Sequence, residues 1–375
     1  MIIGIDASRA VTSQRTGTEA YAYFLIRALM PLVAAYGHTL RLYYNQPPPP
    51  DYFSASPQVT AVVMPFPRLW SHLRLATHLH RQPPDVFFTP AHVIPFTYRG
   101  PSVATIHDLG YRFFPEAHPM AQRLYLHWST AHNGRCSRRL IADSQATKRD
   151  LTAHYGVAGD KVDVVYPGVD PELKRPSTTQ ITAVLRQHQI TPPYLLYLGT
   201  LQPRKNLVRL VTAYAASGLA TETIPHQLVL AGKAGWLAEP ILQTIEQLDP
   251  AIKRHVRLPG YIAEADKAAL LSGATALVFP SLYEGFGFPV LEAQACETAV
   301  LTANSSSLPE VAGAAALLVD PLDSEGLAHA LRHLAQDDGL RAQLVAAGLV
   351  NVRRFSWAET AVAVLNSLEK AAVKR

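Results

Sequence analysis

Short apolar runs alternate with longer amphipathic stretches along the whole chain. Runs rich in β-branched and apolar residues, bounded by glycine, proline or polar residues, are typical of strands buried on both faces. In the first half they predict strands at residues 2–6, 39–44, 59–64, 85–88, 102–106 and 140–143. In the second half they predict strands at residues 194–199, 227–231, 256–258, 276–280, 300–302 and 316–319. Helical patterns separate these runs, which indicates parallel sheets built from β-α-β units and therefore an α/β fold.

The segment after residue 143 carries signals for both ends of a helix. Ser144 is a preferred N-cap residue, and Gly156 readily adopts the left-handed conformation that ends helices. The pattern therefore predicts a helix from Ser144 to about Tyr155.

The chain is long enough for two domains, because 375 residues, 48% of them hydrophobic, exceed what one core usually organises. Residues 166–193 are rich in proline, a composition suited to a linker. We predict an N-terminal Rossmann-like domain of residues 1–175 and a C-terminal one of residues 176–355. A final helix within residues 356–375 is free to cross back to the first domain. Two such doubly wound sheets are expected to face each other across a cleft, where ligands bind at the carboxyl ends of the strands.

Cysteine usage and the N-terminus bear on location. Cys136 and Cys296 lie too far apart in sequence for a metal motif and are too few for a disulfide framework. The N-terminal residues lack the basic and apolar regions of a signal peptide. We expect a cytoplasmic protein without a bound metal.

Positive charge is concentrated in the first half of the chain. Residues 1–175 hold 18 Lys and Arg against 12 Asp and Glu, whereas residues 176–375 hold 16 against 17. A solvated basic surface and an anionic partner (nucleic acid, lipid headgroups or a phosphorylated acceptor) both fit this asymmetry. The segment 68–74, with Arg81 nearby, either rests on anionic headgroups or forms a crossover helix packed on the sheet.

A first candidate binding motif is the segment from Gly199 to Asn206. It leaves a predicted strand, turns at glycine and proline, and opens a helix at Asn206. Arg204 and Lys205 thus stand beside a helix N-terminus, where free N–H groups, the helix dipole and two cations favour phosphate. The alternative is an ordinary basic turn.

A second motif runs from Pro280 to Glu292. Glu284 follows a strand, and Glu292 lies eight residues further on, inside a helix. Gly285 and Gly287 allow the backbone to approach a ligand and to turn N–H groups toward it. The alternative is a structural loop with a capping glutamate.

The second motif, together with residues 307–313 and 319–321, resembles the retaining GT-B glycosyltransferases of family GT4. The resemblance also covers residues 165–170, 204–205 and 230–232, and so spans most of residues 102–321. It implies a GT-B fold and the transfer of a hexose with retention of anomeric configuration. Because Arg204, Lys205 and the helix N-terminus supply positive charge where the departing diphosphate develops negative charge, we expect no metal to be required. The donor is a nucleotide sugar, which is a substrate, so no cofactor is expected.

The resemblance also implies roles for individual residues. Arg204 and Lys205 hold the donor diphosphate, and Glu292 takes the ribose hydroxyls. Glu284 contacts the transferred sugar, assisted by the backbone of Gly285, Phe286, Gly287 and Phe288.

Two further predicted positions lie in the first half. His107 lies near the hydroxyls of the donor sugar by the same resemblance, and Asp108 orients it, contacts acceptor or caps the following turn. Gly17, in the loop before a helix, contacts donor phosphate or acceptor. Many relatives carry paired glycines there, and this chain has Gly17 alone. Glu19, two residues later, is either part of this contact region or simply a favourable negative charge in the first turn of the helix.

The sequence of residues 199–206 is most similar to that of bacterial mannosyltransferases, which suggests GDP-mannose as the donor. UDP-glucose-type donors remain an alternative. The expected acceptor is a saccharide or a lipid-linked saccharide, with peripheral contact to an anionic membrane and no nucleic acid. A sugar-nucleotide epimerase and a non-catalytic sugar-nucleotide binding module are the alternatives.

Overall fold

The computed structural model describes residues 1–12, 17–49, 52–53, 56–91 and 93–373. They form two compact units, which are described separately. Unit 1 comprises Met1–Arg112, Met120–Gly168 and Phe355–Arg375, and unit 2 comprises Phe113–Pro119 and Val169–Arg354.

Unit 1 contains a seven-stranded parallel sheet in the order β3-β2-β1-β4-β5-β6-β7. The strands are β1 (Ile2–Asp6), β2 (Thr39–Tyr44), β3 (Val59–Val63), β4 (Val86–Thr89), β5 (Ser102–Ile106), β6 (Arg139–Ala142) and β7 (Val162–Val164). The sequence predicted the first six. It missed β7, because three residues with a central aspartate make too short and too polar a run.

Helices cover this sheet. They are α1 (Gly17–Ala35), α2 (Ala76–Arg81, entered through a π-helical turn at Ser71–Leu75), α3 (Gly110–Phe113), α4 (Met120–Cys136) and α5 (Gln145–Tyr155). The predicted ends of α5 are confirmed: the Ser144 hydroxyl accepts a hydrogen bond from Thr147 N at 3.0 Å, and Gly156 ends the helix with φ +63°.

Unit 2 contains a six-stranded parallel sheet in the order β10-β9-β8-β11-β12-β13. The strands are β8 (Tyr194–Leu198), β9 (Gln227–Ala231), β10 (Val256–Gly260), β11 (Ala276–Phe279), β12 (Val300–Ala303) and β13 (Leu317–Val319). Every residue of β8, β9, β11 and β12 is buried, which explains why these segments read as continuous apolar runs. In each unit the strand order reverses beside its first strand, so the predicted pair of doubly wound parallel sheets is confirmed.

The helices of unit 2 complete the alternation. They are α6 (Thr178–Gln187), α7 (Leu207–Ser217), α8 (Glu239–Glu246), α9 (Pro250–Lys253), α10 (Glu264–Gly273), α11 (Phe288–Ala295), α12 (Leu308–Ala312), α13 (Ser324–Gln336) and α14 (Asp338–Asn351). Across the described ranges, no helix is both long and apolar enough to span a bilayer.

The chain returns to unit 1 through α15 (Trp357–Ala372), which packs on α1 and on β4, β5 and β6. The Thr360 hydroxyl donates to Tyr166 O at 2.8 Å. A Cβ at Gly168 would lie 2.3 Å from Trp357 N, so glycine is needed where the chain leaves the unit. The passage between units therefore falls at Gly168, a few residues before the boundary placed at 175 from composition.

Candidate functional site

Three of the predicted site residues meet at the point where the strand order of unit 2 reverses. Arg204 and Lys205 follow β8, and Glu284 follows the adjacent strand β11. Glu284 Oε2 accepts a hydrogen bond from Arg204 Nη1 at 3.0 Å, and Glu284 Oε1 accepts one from Lys205 Nζ at 2.5 Å. All three side chains are largely buried. This position, outside the carboxyl ends of parallel strands, is where ligands bind in such sheets.

The charge of Glu284 is set by its two cationic neighbours. Burial by itself raises the pKa of the carboxyl, but the charges of Arg204 and Lys205 outweigh it and lower the pKa to about 2. Glu284 is therefore an anion at neutral pH. It pairs with both side chains that the sequence assigned to the donor diphosphate, and the cluster keeps one net positive charge.

The turn that carries the two cations is fixed by Asn206. Pro203–Lys205 form a 3₁₀ turn, and Asn206 enters α7 with φ +62°. Its side-chain amide donates to Pro280 O at 3.1 Å and to Pro321 O at 2.7 Å. The turn after β8 is thus tied to the segments that follow β11 and β13.

The loop that follows Glu284 is held by two serines that the sequence analysis did not single out for this. Ser306 Oγ accepts from Glu284 N at 2.8 Å, and Ser307 Oγ lies 2.9 Å from Glu284 O and 2.7 Å from Phe286 O. Their signals in the sequence were a run of serines shortly after the predicted strand 300–302 and, for Ser307, its place at the start of the motif 307–313. They fix the backbone of the loop that contains the predicted positions Gly285, Phe286, Gly287 and Phe288.

Gly287 is the N-cap of α11 and requires glycine. Its φ of +116° disfavours any side chain, and an added Cβ would lie 2.9 Å from Leu308 Cδ2. Gly285 and Phe286 are buried, and the rings of Phe286 and Phe288 pack edge to face at 5.1 Å. These contacts hold the loop beside Glu284 in one conformation.

A short segment from the first half of the sequence also supports this loop. The Phe113 ring stacks on the Tyr283 ring at 4.8 Å, and Tyr283 O accepts a hydrogen bond from Arg204 Nη1. The indole of Trp236 donates to Ala117 O. These contacts place Phe113–Pro119 in unit 2, although the domain assignment from sequence includes it in residues 1–175.

Glu292 lies inside α11 and has a different partner. Its Oε1 receives Lys267 Nζ, from α10, at 2.9 Å, and the same ammonium contacts Glu264 Oε2 at 2.9 Å. Sequence reasoning missed Lys267. Among the residues described, Glu292 shares no hydrogen bond with the cluster of Arg204, Lys205 and Glu284, and no group of three or more His, Cys, Asp and Glu side chains is arranged to hold a metal ion.

His107 follows β5 in unit 1 and is held at both ring nitrogens. Nδ1 lies 2.5 Å from Asp143 Oδ2, and Nε2 lies 2.8 Å from Pro90 O. Burial lowers the pKa of the imidazole, but the charge and hydrogen bond of Asp143 and the Pro90 carbonyl raise it overall. Because a carboxylate and a carbonyl both accept hydrogen bonds, the arrangement favours the doubly protonated imidazolium.

Asp143, not Asp108, orients His107. Asp143 directly follows β6, the neighbour of β5, and its position as the last residue of the predicted strand 140–143 was the available signal. Asp108 Oδ1 instead accepts from Gly110 N at 2.8 Å, which is the turn-capping alternative.

Gly17 is the exposed first residue of α1. The preceding residue of its predicted loop, Thr16, lies outside the described residues. Glu19, in the first turn of α1, pairs with Arg9 at 3.4 Å. Gly17 and His107 therefore belong to unit 1, whereas Arg204, Lys205, Glu284 and Glu292 belong to unit 2.

The pair of His107 and Asp143 is expected to make stability and ionisation depend on pH. Replacing Asp143 by Asn removes the largest of the contributions that raise the pKa of His107, so that pKa should fall below its wild-type value. Because the folded pKa of wild-type His107 is raised, its stabilisation is complete below about pH 6.5 and lost as pH rises through the folded value. NMR titration of the imidazole measures both proteins, and an unchanged pKa in Asp143→Asn would contradict the assignment.

Known protein families match both halves of the chain. The sequence profile described as Glycosyltransferase Family 4 matches residues 15–173, and the one described as Glycosyl transferases group 1 matches residues 182–349. The O-antigen chain mannosyltransferase B of Escherichia coli is 30% identical over 284 residues, which cover 72% of this chain and 74% of that protein. The chain belongs to the group 1, family 4 glycosyltransferases.

Other relatives of this glycosyltransferase match over shorter regions. The serotype-specific mannosyltransferase WbdA of Escherichia coli is 29% identical over 225 residues, covering 59% of this chain and 27% of WbdA. The D-inositol 3-phosphate glycosyltransferase of Corynebacterium glutamicum (strain R) is 30% identical over 243 residues, covering 62% of this chain and 57% of that protein. The match therefore spans less than two thirds of either relative.

Solved structures show the same fold for this glycosyltransferase. Sucrose-phosphate synthase from Thermosynechococcus elongatus has a TM-score of 0.75 at 21% identity, covering 98% of both chains. Anabaena Alr3699/HepE in complex with UDP-glucose has a TM-score of 0.74 at 18% identity, covering 98% of this chain and 99% of that one. Together with the two parallel, doubly wound sheets of this chain, these likenesses confirm the predicted GT-B fold class.

Proposed function

We propose that this glycosyltransferase transfers mannose from GDP-mannose to a saccharide or a lipid-linked saccharide in polysaccharide synthesis. The mannosyltransferase relatives support the choice of sugar, and family resemblance supports retention of anomeric configuration. The proposed donor is a substrate, and no separate cofactor is assigned.

The observation that carries the proposal is the cluster of Arg204, Lys205 and Glu284. Two buried cations meet one carboxylate at the reversal point of the sheet, so the protein has already built a site for negative charge. A departing nucleoside diphosphate accumulates negative charge, and preorganised cations stabilise it. We infer that Arg204 and Lys205 supply this stabilisation without a metal ion.

His107 is proposed to contact the donor sugar through Nε2. Asp143 holds Nδ1 and keeps the ring charged and oriented, while the present partner of Nε2 is a carbonyl oxygen, Pro90 O. A sugar hydroxyl can take the place of that carbonyl as the acceptor of the Nε2–H bond. His107 would then position the sugar, a role that small displacements disrupt strongly.

Nucleotide titration tests the proposal. Thermal shift and calorimetry with GDP, UDP, ADP and CDP, and with intact GDP-mannose and UDP-glucose, measure which nucleotide stabilises the fold. We expect preference for the GDP compounds. A preference for UDP compounds would leave the transferase activity as proposed but would replace GDP-mannose by a UDP-sugar as the donor. No response to any nucleotide would overturn the phosphate-site assignment.

Product analysis separates the remaining alternatives. A transferase attaches the sugar to an added saccharide acceptor. An epimerase releases free sugar and nucleotide without an acceptor. A binding module leaves the donor intact.

A membrane contact is proposed for unit 1. On one face of α4, Met120, Leu124, Tyr125 and Trp128 are exposed at helical spacing. The Phe96 ring contacts both the Trp128 ring and the His72 ring, with 3.9 Å between ring centroids in each pair. His72 is close in sequence to the exposed Leu69 and Leu73. We call Leu69, Leu73, Phe96, Leu124, Tyr125 and Trp128 the apolar patch.

The charges around the apolar patch favour anionic lipid. The segments that contribute to the apolar patch also carry or adjoin arginines, at positions 68, 74, 99, 123 and 135. No acidic residue occurs between Ala117 and Ala142. The segment predicted from sequence, residues 68–74, supplies only part of the patch, because Trp70 is buried and donates its indole N–H to Met64 O at 2.7 Å. We propose peripheral contact at the cytoplasmic face of the membrane. The two free cysteines fit that reducing compartment.

Replacing Leu124 by Ser should weaken binding to anionic vesicles. The side chain is 59% exposed, so the loss of apolar contact should not disturb the fold. Sedimentation with phosphatidylglycerol vesicles at low and high salt measures the effect, with Leu322→Ser, at a 65% exposed leucine of unit 2, as the matched control. Equal, salt-insensitive sedimentation of all three proteins would remove the membrane contact.

A further inference from the structure

Lys267 occupies a position that its helix does not favour. It is the fourth residue of α10, where the positive end of the helix dipole opposes a cation. Its side chain is only 17% exposed and lies between two carboxylates, with Nζ 2.9 Å from Glu264 Oε2 and 2.9 Å from Glu292 Oε1. Burial lowers the pKa of Lys267, but Glu292 and Glu264 raise it well above its ordinary value. The ammonium is therefore charged and held by the carboxylates.

This contact leaves one oxygen of Glu292 available. Oε1 accepts from Lys267, whereas Oε2 accepts no hydrogen bond from any residue that the structure describes. The Glu292 side chain is 19% exposed, so a ligand can reach it. A carboxylate anchored at one oxygen presents the other in a fixed direction, as a preorganised acceptor for one hydroxyl.

We propose that Lys267 is a positioning residue that aims Glu292 Oε2 at a ribose hydroxyl of the nucleotide. The inference rests on the proposed function, in which Glu292 holds the ribose. Glu264, which is more exposed, completes the charge balance of the ammonium from the outer side.

A structural role would have a different signature. If Lys267 only joined α10 to α11, its loss would lower the affinity for every nucleotide by the same factor. If it aims Glu292, its loss should remove the part of the affinity that depends on the ribose hydroxyl. The ratio of two dissociation constants, for the ribonucleotide and for its deoxy form, separates these cases.

Calorimetry with GDP, 2′-deoxy-GDP and 3′-deoxy-GDP measures this ratio. In the wild type we expect one deoxy form to bind about tenfold more weakly, the usual effect of one hydrogen bond to a charged group. Glu292→Gln should bring the ratio close to one, and Lys267→Met should bring it most of the way there. Lys267→Arg should restore it, and Glu246→Gln, a matched control at the exposed ion pair with Lys253, should retain it. If titration shows a UDP preference, the corresponding uridine nucleotides replace these probes.

The outcomes distinguish the inference from the function on which it rests. A wild-type ratio in Lys267→Met, with the ratio lost in Glu292→Gln, would overturn the positioning role and leave the ribose contact intact. A ratio unchanged in Glu292→Gln would overturn the ribose contact itself. Melting temperatures establish that each variant is folded, and Lys267→Gln replaces the methionine variant if that one is not.

Discussion

Replacing Glu284 by Gln is expected to raise the affinity for nucleoside diphosphate about tenfold while lowering sugar transfer at least about a hundredfold. In the protein without ligand, the Glu284 carboxylate is paired with the two side chains proposed to bind the diphosphate, at 3.0 Å from Arg204 Nη1 and 2.5 Å from Lys205 Nζ. A diphosphate that binds there must displace a negative charge. Glutamine keeps the shape and one acceptor oxygen but removes the competing charge, so the phosphates should bind more tightly.

The same substitution should destabilise the ligand-free protein. Removing one partner leaves the two buried cations without their counter-ion, at a cost of about 3 kcal/mol in the free energy of unfolding. Added nucleoside diphosphate should restore more stability to the variant than to the wild type. Transfer falls because Glu284 is the group proposed to contact the sugar.

Acid stability gives an independent check of the Glu284 ion pairs. The folded pKa is lowered to about 2 from an ordinary value of 4.5, so the stabilisation is present above pH 4.5 and lost as pH falls toward 2. The wild type should lose more stability than Glu284→Gln across that interval. Melting temperatures, calorimetry with GDP and a transfer assay supply the data.

The matched control for Glu284 is Glu246→Gln, which removes a carboxylate from an exposed ion pair with Lys253. It should change neither affinity nor transfer. If GDP bound Glu284→Gln no better than the wild type, Glu284 would not compete with phosphate, and full transfer activity would remove its contact with the sugar.

Replacing Lys205 by Met is expected to weaken the binding of nucleoside diphosphate by about ten- to a hundredfold, and Lys205→Ala at least as much. Lys205 is buried beside Glu284, and its ammonium lies 5.1 Å from the centre of the Phe279 ring. Methionine keeps the packing of the stem against that ring and removes only the charge. Glu284 then retains Arg204, and the phosphates lose one of two cations.

Binding of GDP and of guanosine distinguishes the charge from the fold. The affinity of Lys205→Met for guanosine, which lacks phosphates, should equal that of the wild type. The control Lys253→Met, at the exposed ion pair with Glu246, should bind GDP with wild-type affinity. Combining Lys205→Met with Glu284→Gln should show coupling, because both substitutions act on one cluster. Wild-type affinity of Lys205→Met for GDP would contradict the diphosphate assignment.

Much of the local structure was predictable. The boundaries of β1, β2, β5 and β9 match the prediction, and the others that were predicted differ by one or two residues. Ser144 and Gly156 act as expected because capping depends on groups within a few residues. The motif from Glu284 to Glu292 likewise depends on a strand end, a glycine turn and a helix start that lie next to each other in sequence.

The partners of the site residues were not predictable in the same way. His107 was identified, but its partner Asp143 was missed, and the neighbouring Asp108 proved to cap a turn. Lys267 was missed because its partner Glu292 lies on another helix, 25 residues away. Likewise, nothing local shows that Phe113–Pro119 packs beside Tyr283.

The sequence by itself determined the strands other than β7, the doubly wound class of the fold, and the chemical types of the candidate site residues. These follow from hydrophobic periodicity and from interactions between near neighbours in the chain. Only the tertiary structure decided that Glu284 pairs with Arg204 and Lys205, some 80 residues away, and that Lys267 holds Glu292. Strand order decides which strand ends lie side by side, and distances of 2.5–3.0 Å between charged atoms then determine which charges pair.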